Sequence, residues 1–164
     1  MLLLVLAAWL LPGGGVRSQN KTRPEFSMDA PTIEAPFEYV QHQILVNGEV
    51  DGRKALTLLV DTGAAMPVFD RSVRLVGTRF PDRTIREADG NSSVTAVTLD
   101  ELTIGRDGQC VHGRRLYGLV SDLSQVSSRV GRRIDGIVGL NYLAGFIVEI
   151  DYTKRRLQIG RAHV

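Results

Sequence analysis

Cysteine is nearly missing from this 164-residue chain: Cys110 stands alone, so no disulfide can form within it. That leaves the thiol as a buried packing group, a free reactive thiol or half of an intermolecular bridge. A nucleophilic role would need a histidine held by a third group, and His112, two residues on, has no such partner nearby in sequence. Histidines are few as well. His42, His112 and His163 fall at no spacing that matches a ligand set, so neither a metal nor another cofactor is expected. Long runs of one charge are absent. The pairs Arg114-Arg115 and Arg132-Arg133 and the cluster Lys154-Arg155-Arg156 are scattered, and the net charge is +2, which speaks against a nucleic-acid surface. No internal repeat is visible, and no apolar run approaches the roughly 20 residues that span a bilayer.

What is present fits one globular domain. Hydrophobic residues make up 43% and charged residues 23%, ordinary values for a soluble chain. A domain of this length buries roughly two-thirds of the surface its unfolded chain exposes, enough to fold without staples. The apolar run Leu2 to Leu11, the break at Pro12-Gly13-Gly14-Gly15 and the small Ser18 read as a signal peptide over residues 1–18, or as an uncleaved anchor. Either reading predicts an exported protein, periplasmic or secreted, that meets a membrane only if this segment is retained. Residues 19–36 carry Pro24, Pro31 and Pro36 and read as a flexible linker before a domain over 37–164.

From Phe37 onward the pattern predicts strands. Tyr39 to Val46 is rich in β-branched and aromatic residues, and Asn47-Gly48 and Asp51-Gly52 are turn dipeptides. Ala55 to Val60 is a short apolar run bounded by turn signals and reads as a buried strand. Phe69 to Val76 has helical spacing and reads as a short helix or turn. Val94 to Ile104 and Val111 to Val120 read as strands, Ser121 to Arg133 as a polar loop, and Ile134 to Leu143 as a strand leading into a short helix. Phe146 to Asp151 and Arg156 to Ile159 read as strands joined by a turn. Many short strands with little helix predict an all-β fold closed into a barrel.

The chemistry rests on Val60-Asp61-Thr62-Gly63-Ala64. A hydrophobic strand that ends in Asp-Thr-Gly delivers a carboxylate to a sheltered position. Gly63 permits a tight turn, and the Thr62 hydroxyl can hydrogen-bond nearby backbone. The tripeptide alone is equally compatible with an ordinary turn in a structural β-domain. Far downstream, Ile134-Asp135-Gly136-Ile137-Val138-Gly139-Leu140-Asn141-Tyr142-Leu143 leads to Ile150-Asp151-Tyr152.

Together these two segments resemble the retropepsin-like aspartic peptidases, especially the small bacterial group, over about residues 40–160. The resemblance implies a closed β-barrel of the retropepsin type with one or two short helices, and an aspartic endopeptidase acting on polypeptides. Asp61 would be the catalytic carboxylate. Thr62 would lock paired active-site loops, Gly63 would allow their close approach, and Ala64 would complete the loop. Ile137, Val138 and Gly139 would pack behind it. Asp89, Gly90 and Asn91 would sit in the flap that closes over substrate, with Gly90 at its tip. The chain departs from the pattern at Ala65-Met66, where many relatives carry a small hydroxyl residue. A catalytically weak or inactive peptide-binding or scaffolding module of the same fold is therefore the alternative reading. Such chemistry needs two carboxylates, and the chain holds no second Asp-Thr-Gly or Asp-Ser-Gly, so a homodimer is expected.

Overall fold

The computed structural model describes residues 23–81, 83–87 and 90–161. The signal segment expected over 1–18 lies outside the described residues, and no helix among them is long and apolar enough to cross a membrane. The chain is mostly β. Strands β1 (Glu25–Met28), β2 (Thr32–Val40), β3 (Gln43–Val50), β4 (Arg53–Val60), β5 (Val68–Asp70), β6 (Arg83–Glu87), β7 (Gly90–Arg106) and β8 (Gln109–Ser121) precede helix α1 (Ser124–Val130). Strand β9 (Gly136–Val138), helix α2 (Leu140–Leu143) and strands β10 (Phe146–Asp151) and β11 (Arg156–Arg161) follow.

The strand pairings close on themselves. β3 pairs antiparallel with β4, β4 parallel with β9, β9 antiparallel with β5, β5 parallel with β8 and β8 antiparallel with β7. β7 then pairs back onto β3 through Gly48↔Ile104 and Val50↔Leu102. The change of partner along β3 takes place at Gly48, where the ladder to β4 is irregular. A Cβ there would lie 2.3 Å from Leu58 Cδ1 and 2.8 Å from the Thr103 carbonyl, so only glycine lets the three strands meet. Asn47-Gly48, expected as a turn, is thus strand interior, and Asp51-Gly52 makes the turn. Its two residues have φ of 47° and 79°, the left-handed pair that joins tight hairpins.

Apolar residues fill both faces of the central strands. Leu58 and Val138 enter the main core, whereas Leu59 and Ile137 enter a second cluster with Leu45, Ala64, Val68, Leu123, Val130 and Ile134. Burial on both faces explains why β4 and β9 read as continuous apolar runs rather than alternating ones. Helix α1 replaces the loop expected over Ser121 to Arg133 and buries Val130 in the second cluster. Phe69 lies in β5 rather than in a helix, paired with Val120 on one side and Gly136 on the other.

The expected linker also differs. Most of its residues from Glu25 onward belong to the sheet: β1 pairs with β8, and Thr32 to Pro36 pairs with β11. Its prolines mislead because Pro36 sits where β2 leaves β11 and Phe37 begins the pairing with β3, a position that tolerates a missing N–H. Phe26 of β1 packs edge-on against Tyr142 and Phe146.

Candidate functional site

Asp61 follows the last residue of β4 and is half-buried. Its backbone N–H donates to the Val138 carbonyl (3.1 Å), which continues the parallel ladder one step beyond Leu58↔Gly136, Leu59↔Ile137 and Val60↔Val138. Its carbonyl accepts from the Ala64 N–H at 3.2 Å, and its Oδ1 accepts from the Gly63 N–H at 2.8 Å. The loop is therefore tightened by the aspartate's own oxygens. The Thr62 hydroxyl, expected to rigidify it, makes no hydrogen bond among the described residues, and Thr62 is exposed. No hydrogen bond reaches Asp61 Oδ2 among the described residues.

The downstream segment braces this loop. Leu140 N–H donates to the Ala64 carbonyl (2.7 Å) and Asn141 N–H to the Ala65 carbonyl (3.1 Å). Such contacts need the two backbones to touch, and Gly139 allows it: a Cβ there would lie 2.6 Å from the Met66 carbonyl oxygen and 2.8 Å from that of Ala64. Ile137, Val138 and Gly139 are buried behind the loop, and Ala64 is buried beneath it. Pro67 closes the far side through its carbonyl, which accepts from Leu119 N–H at 2.9 Å. The Asp61 loop and Ile137-Val138-Gly139, far apart in sequence, form one unit.

Gly90 and Asn91 open β7, where they pair with Glu87 and Arg86 of β6. They belong to a hairpin, with Gly90 at the strand end. Asp89 lies outside the described residues, so the tip of this hairpin is not described.

Several polar residues that the sequence did not single out hold this region. Asp135, 8% exposed, commits both carboxylate oxygens: Oδ2 accepts from Thr57 N–H (3.0 Å) and Oδ1 from Arg133 Nε (2.7 Å). Its N–H donates to the Thr57 carbonyl and its carbonyl accepts from Asp70 N–H, both at 2.9 Å. Asp70 accepts from Ser72 Oγ and Ser72 N–H on Oδ1, and from Leu123 N–H at 2.9 Å on Oδ2. Burial raises the Asp70 pKa, but these hydrogen bonds outweigh it and hold the carboxyl below its usual range. Thr57 and Leu123 are distant in sequence from the carboxylates they bind, so only Asp70-Arg71-Ser72, with a short polar side chain two residues after an aspartate, and Arg133-Ile134-Asp135, with a guanidinium two residues before one, offered local signals.

A second polar cluster surrounds His112. Its Nε2 lies 3.1 Å from Asp29 Oδ1, and its Nδ1 lies 3.3 Å from Glu101 Oε1. His112 therefore has orienting carboxylates, supplied by β7 and by the segment between β1 and β2. The thiol beside it is not activated: burial and the Asp29 carboxylate push the Cys110 pKa up, away from the thiolate. No group of three or more His, Cys, Asp or Glu side chains among the described residues is placed to hold a metal ion.

No protein-family model matches the chain, and no curated protein sequence matches it.

Proposed function

We propose that the chain is an aspartic endopeptidase of the retropepsin type, its ring of strands a closed barrel, acting as a homodimer with one Asp61 from each copy at the two-fold axis. The observation that carries this reading is the Asp61 loop. A carboxylate at the end of a partly buried strand keeps one oxygen without a partner among the described residues, while its loop is braced by Val138, Leu140 and Asn141. The exposed Thr62 hydroxyl is available to a second copy, in keeping with a role in locking paired loops.

Two such carboxylates about 3 Å apart share one proton, since both cannot be ionised together. The charged one takes a proton from water as it attacks the peptide carbonyl, and the neutral one donates toward the carbonyl oxygen. The dyad's two pKa values belong to the pair. The hairpin of β6 and β7, which includes Gly90 and Asn91 and connects through Asp89, is the proposed flap. The segment 1–18 is proposed to direct export, with the mature chain periplasmic or secreted.

The test joins activity to assembly. Peptide-library hydrolysis across acidic and neutral pH is expected for the wild type, lost in Asp61→Asn, with both proteins eluting as dimers in size-exclusion chromatography. Hydrolysis that survives Asp61→Asn, or an active monomer, sinks the proposal. Ala65, in place of a small hydroxyl residue, favours a second reading: a peptide-binding module of this fold with weak or no catalysis. Saturable peptide binding by a dimer that hydrolyses none of the library would select it.

A further inference from the structure

Strands β2, β11 and β10 lie side by side, and their core face is sealed over the first two and open at the third. Ile33 of β2, Ile159 of β11 and Val148 of β10 stand in one row across the sheet, and Ala35, Leu157 and Ile150 in the next. The β2 and β11 members of both rows are buried, whereas Val148 is only partly buried and Ile150 is 39% exposed. Position explains the difference: β10 ends the strand order and pairs with β11 alone among the described residues. Successive residues of an antiparallel strand turn their N–H and C=O groups to one neighbour and then the other, so half of the backbone polar groups of β10 point to its open side.

Edge strands are usually blunted by proline, lysine, a bulge or a covering segment, because an open ladder invites another strand. Phe146-Ile147-Val148-Glu149-Ile150-Asp151 holds neither proline nor lysine, and its register with β11 runs without a shift. The register also sorts its side chains. Phe146, Val148 and Ile150 share the core face, and Ile147, Glu149 and Asp151 share the outer face, where Ile147 is 59% exposed. The only charges on the strand are thus two carboxylates on one face, and they restrict which strand can lie alongside.

We propose that β10 is the edge on which two copies of the chain meet, pairing antiparallel with its own counterpart about a two-fold axis at Val148. A two-fold axis perpendicular to a continuous sheet sets residues of the same face opposite each other. An axis at Glu149 would set that carboxylate against its own copy, and an axis at Ile150 would set it against Asp151. An axis at Ile147 would pair only Phe146 to Val148. The axis at Val148 pairs Phe146 through Ile150, sets Phe146 against Ile150 on the core face and Ile147 against Glu149 on the outer face, and brings no like charges opposite. The core face then continues into the second copy, which covers Val148 and Ile150. This inference deepens the homodimer reading and rests on it; α2, whose first residues brace the Asp61 loop, leads into β10.

Sedimentation equilibrium of the full chain tests this. The wild type is expected to dimerise. Ile147→Glu sets a carboxylate against Glu149 at two symmetry-related places and is expected to weaken association about tenfold. Ile147→Lys sets an ammonium there instead and is expected to keep the wild-type affinity, and adding Glu149→Lys to Ile147→Glu is expected to restore it. Ile147 and Glu149 are exposed, so unchanged circular dichroism is expected to accompany each variant. A wild-type monomer, a dimer indifferent to Ile147→Glu, or equal weakening by Ile147→Glu and Ile147→Lys overturns the interface. Peptide hydrolysis measured on the same samples separates this outcome from that of the peptidase reading. A dimer that dissociates as expected but cleaves nothing keeps the interface and rejects the peptidase, whereas an active dimer indifferent to Ile147→Glu does the reverse.

Discussion

Strands β4 and β9 run side by side in parallel, and an aspartate stands at each end of the pair. At the start, Asp135 is nearly buried, both oxygens are taken, and its backbone ties Thr57 to Asp70. At the finish, Asp61 is half-buried, and one oxygen holds Gly63 while the other has no partner among the described residues. The two carboxylates differ in commitment more than in kind. One whose oxygens are all spent within the fold works as a joint. One with an oxygen to spare, on a loop that other residues hold still, is free to act on something else. Asp135-Gly136 and Asp61-Thr62-Gly63 look similar in sequence, yet only the second leaves a group available.

The contrast can be broken at either end. Asp61→Asn is expected to cost at least the 10²–10⁴ in rate that acid–base assistance typically contributes, with the melting temperature nearly unchanged; peptide hydrolysis beside calorimetry checks it. A large fall in stability would instead make Asp61 a joint like Asp135. Gly139→Ala tests the brace behind Asp61. Its methyl group would meet two backbone carbonyls, and a loss of about 1–3 kcal/mol in urea denaturation is expected, with activity falling further than stability because the loop shifts. At the other end, Asp135→Ala leaves the Thr57 N–H without its side-chain partner and is expected to cost about 1–3 kcal/mol in the same assay.

The smallest effect concerns Asp70. Its carboxyl is held below its unfolded value, so its contribution to stability is complete above that value and is lost as pH falls through the folded one. Asp70→Asn is expected to flatten the acid limb of melting temperature against pH below about pH 4. An unchanged limb would remove Asp70 from the joint.

Much of the frame around Asp61 was legible. Ala55 to Val60, Ile134 to Leu143, Phe146 to Asp151 and Arg156 to Ile159 form the expected elements, because apolar runs bounded by turn residues leave few alternatives. The misreadings share a cause. β5 spans only Val68–Asp70 and exists through pairing with β8 and β9, which no local pattern announces. Helix α1 is serine-rich, has no side-chain cap and buries one residue, so its propensity is weak and its place depends on the second core cluster. In β2 the obstacle was Pro36, which sits at a change of partner that only the assembled sheet defines. Within the site, the sequence pointed to Asp61 and to Gly139, but not to Asp135 as a joint, because its partner Thr57 is 78 residues away.

That separation has a consequence for the newly made chain. Thr57 and Asp135 meet across 78 residues, and the groups that steady Asp61, from Val138 to Asn141, are likewise made long after it. During synthesis the Asp-Thr-Gly segment emerges first and waits without its brace. Parallel pairing at such distance is slow to form, since the intervening chain must be gathered before any contact rewards it. The order of synthesis therefore acts as a timer: the Asp61 loop takes its final shape only once the chain through Asn141 has been made.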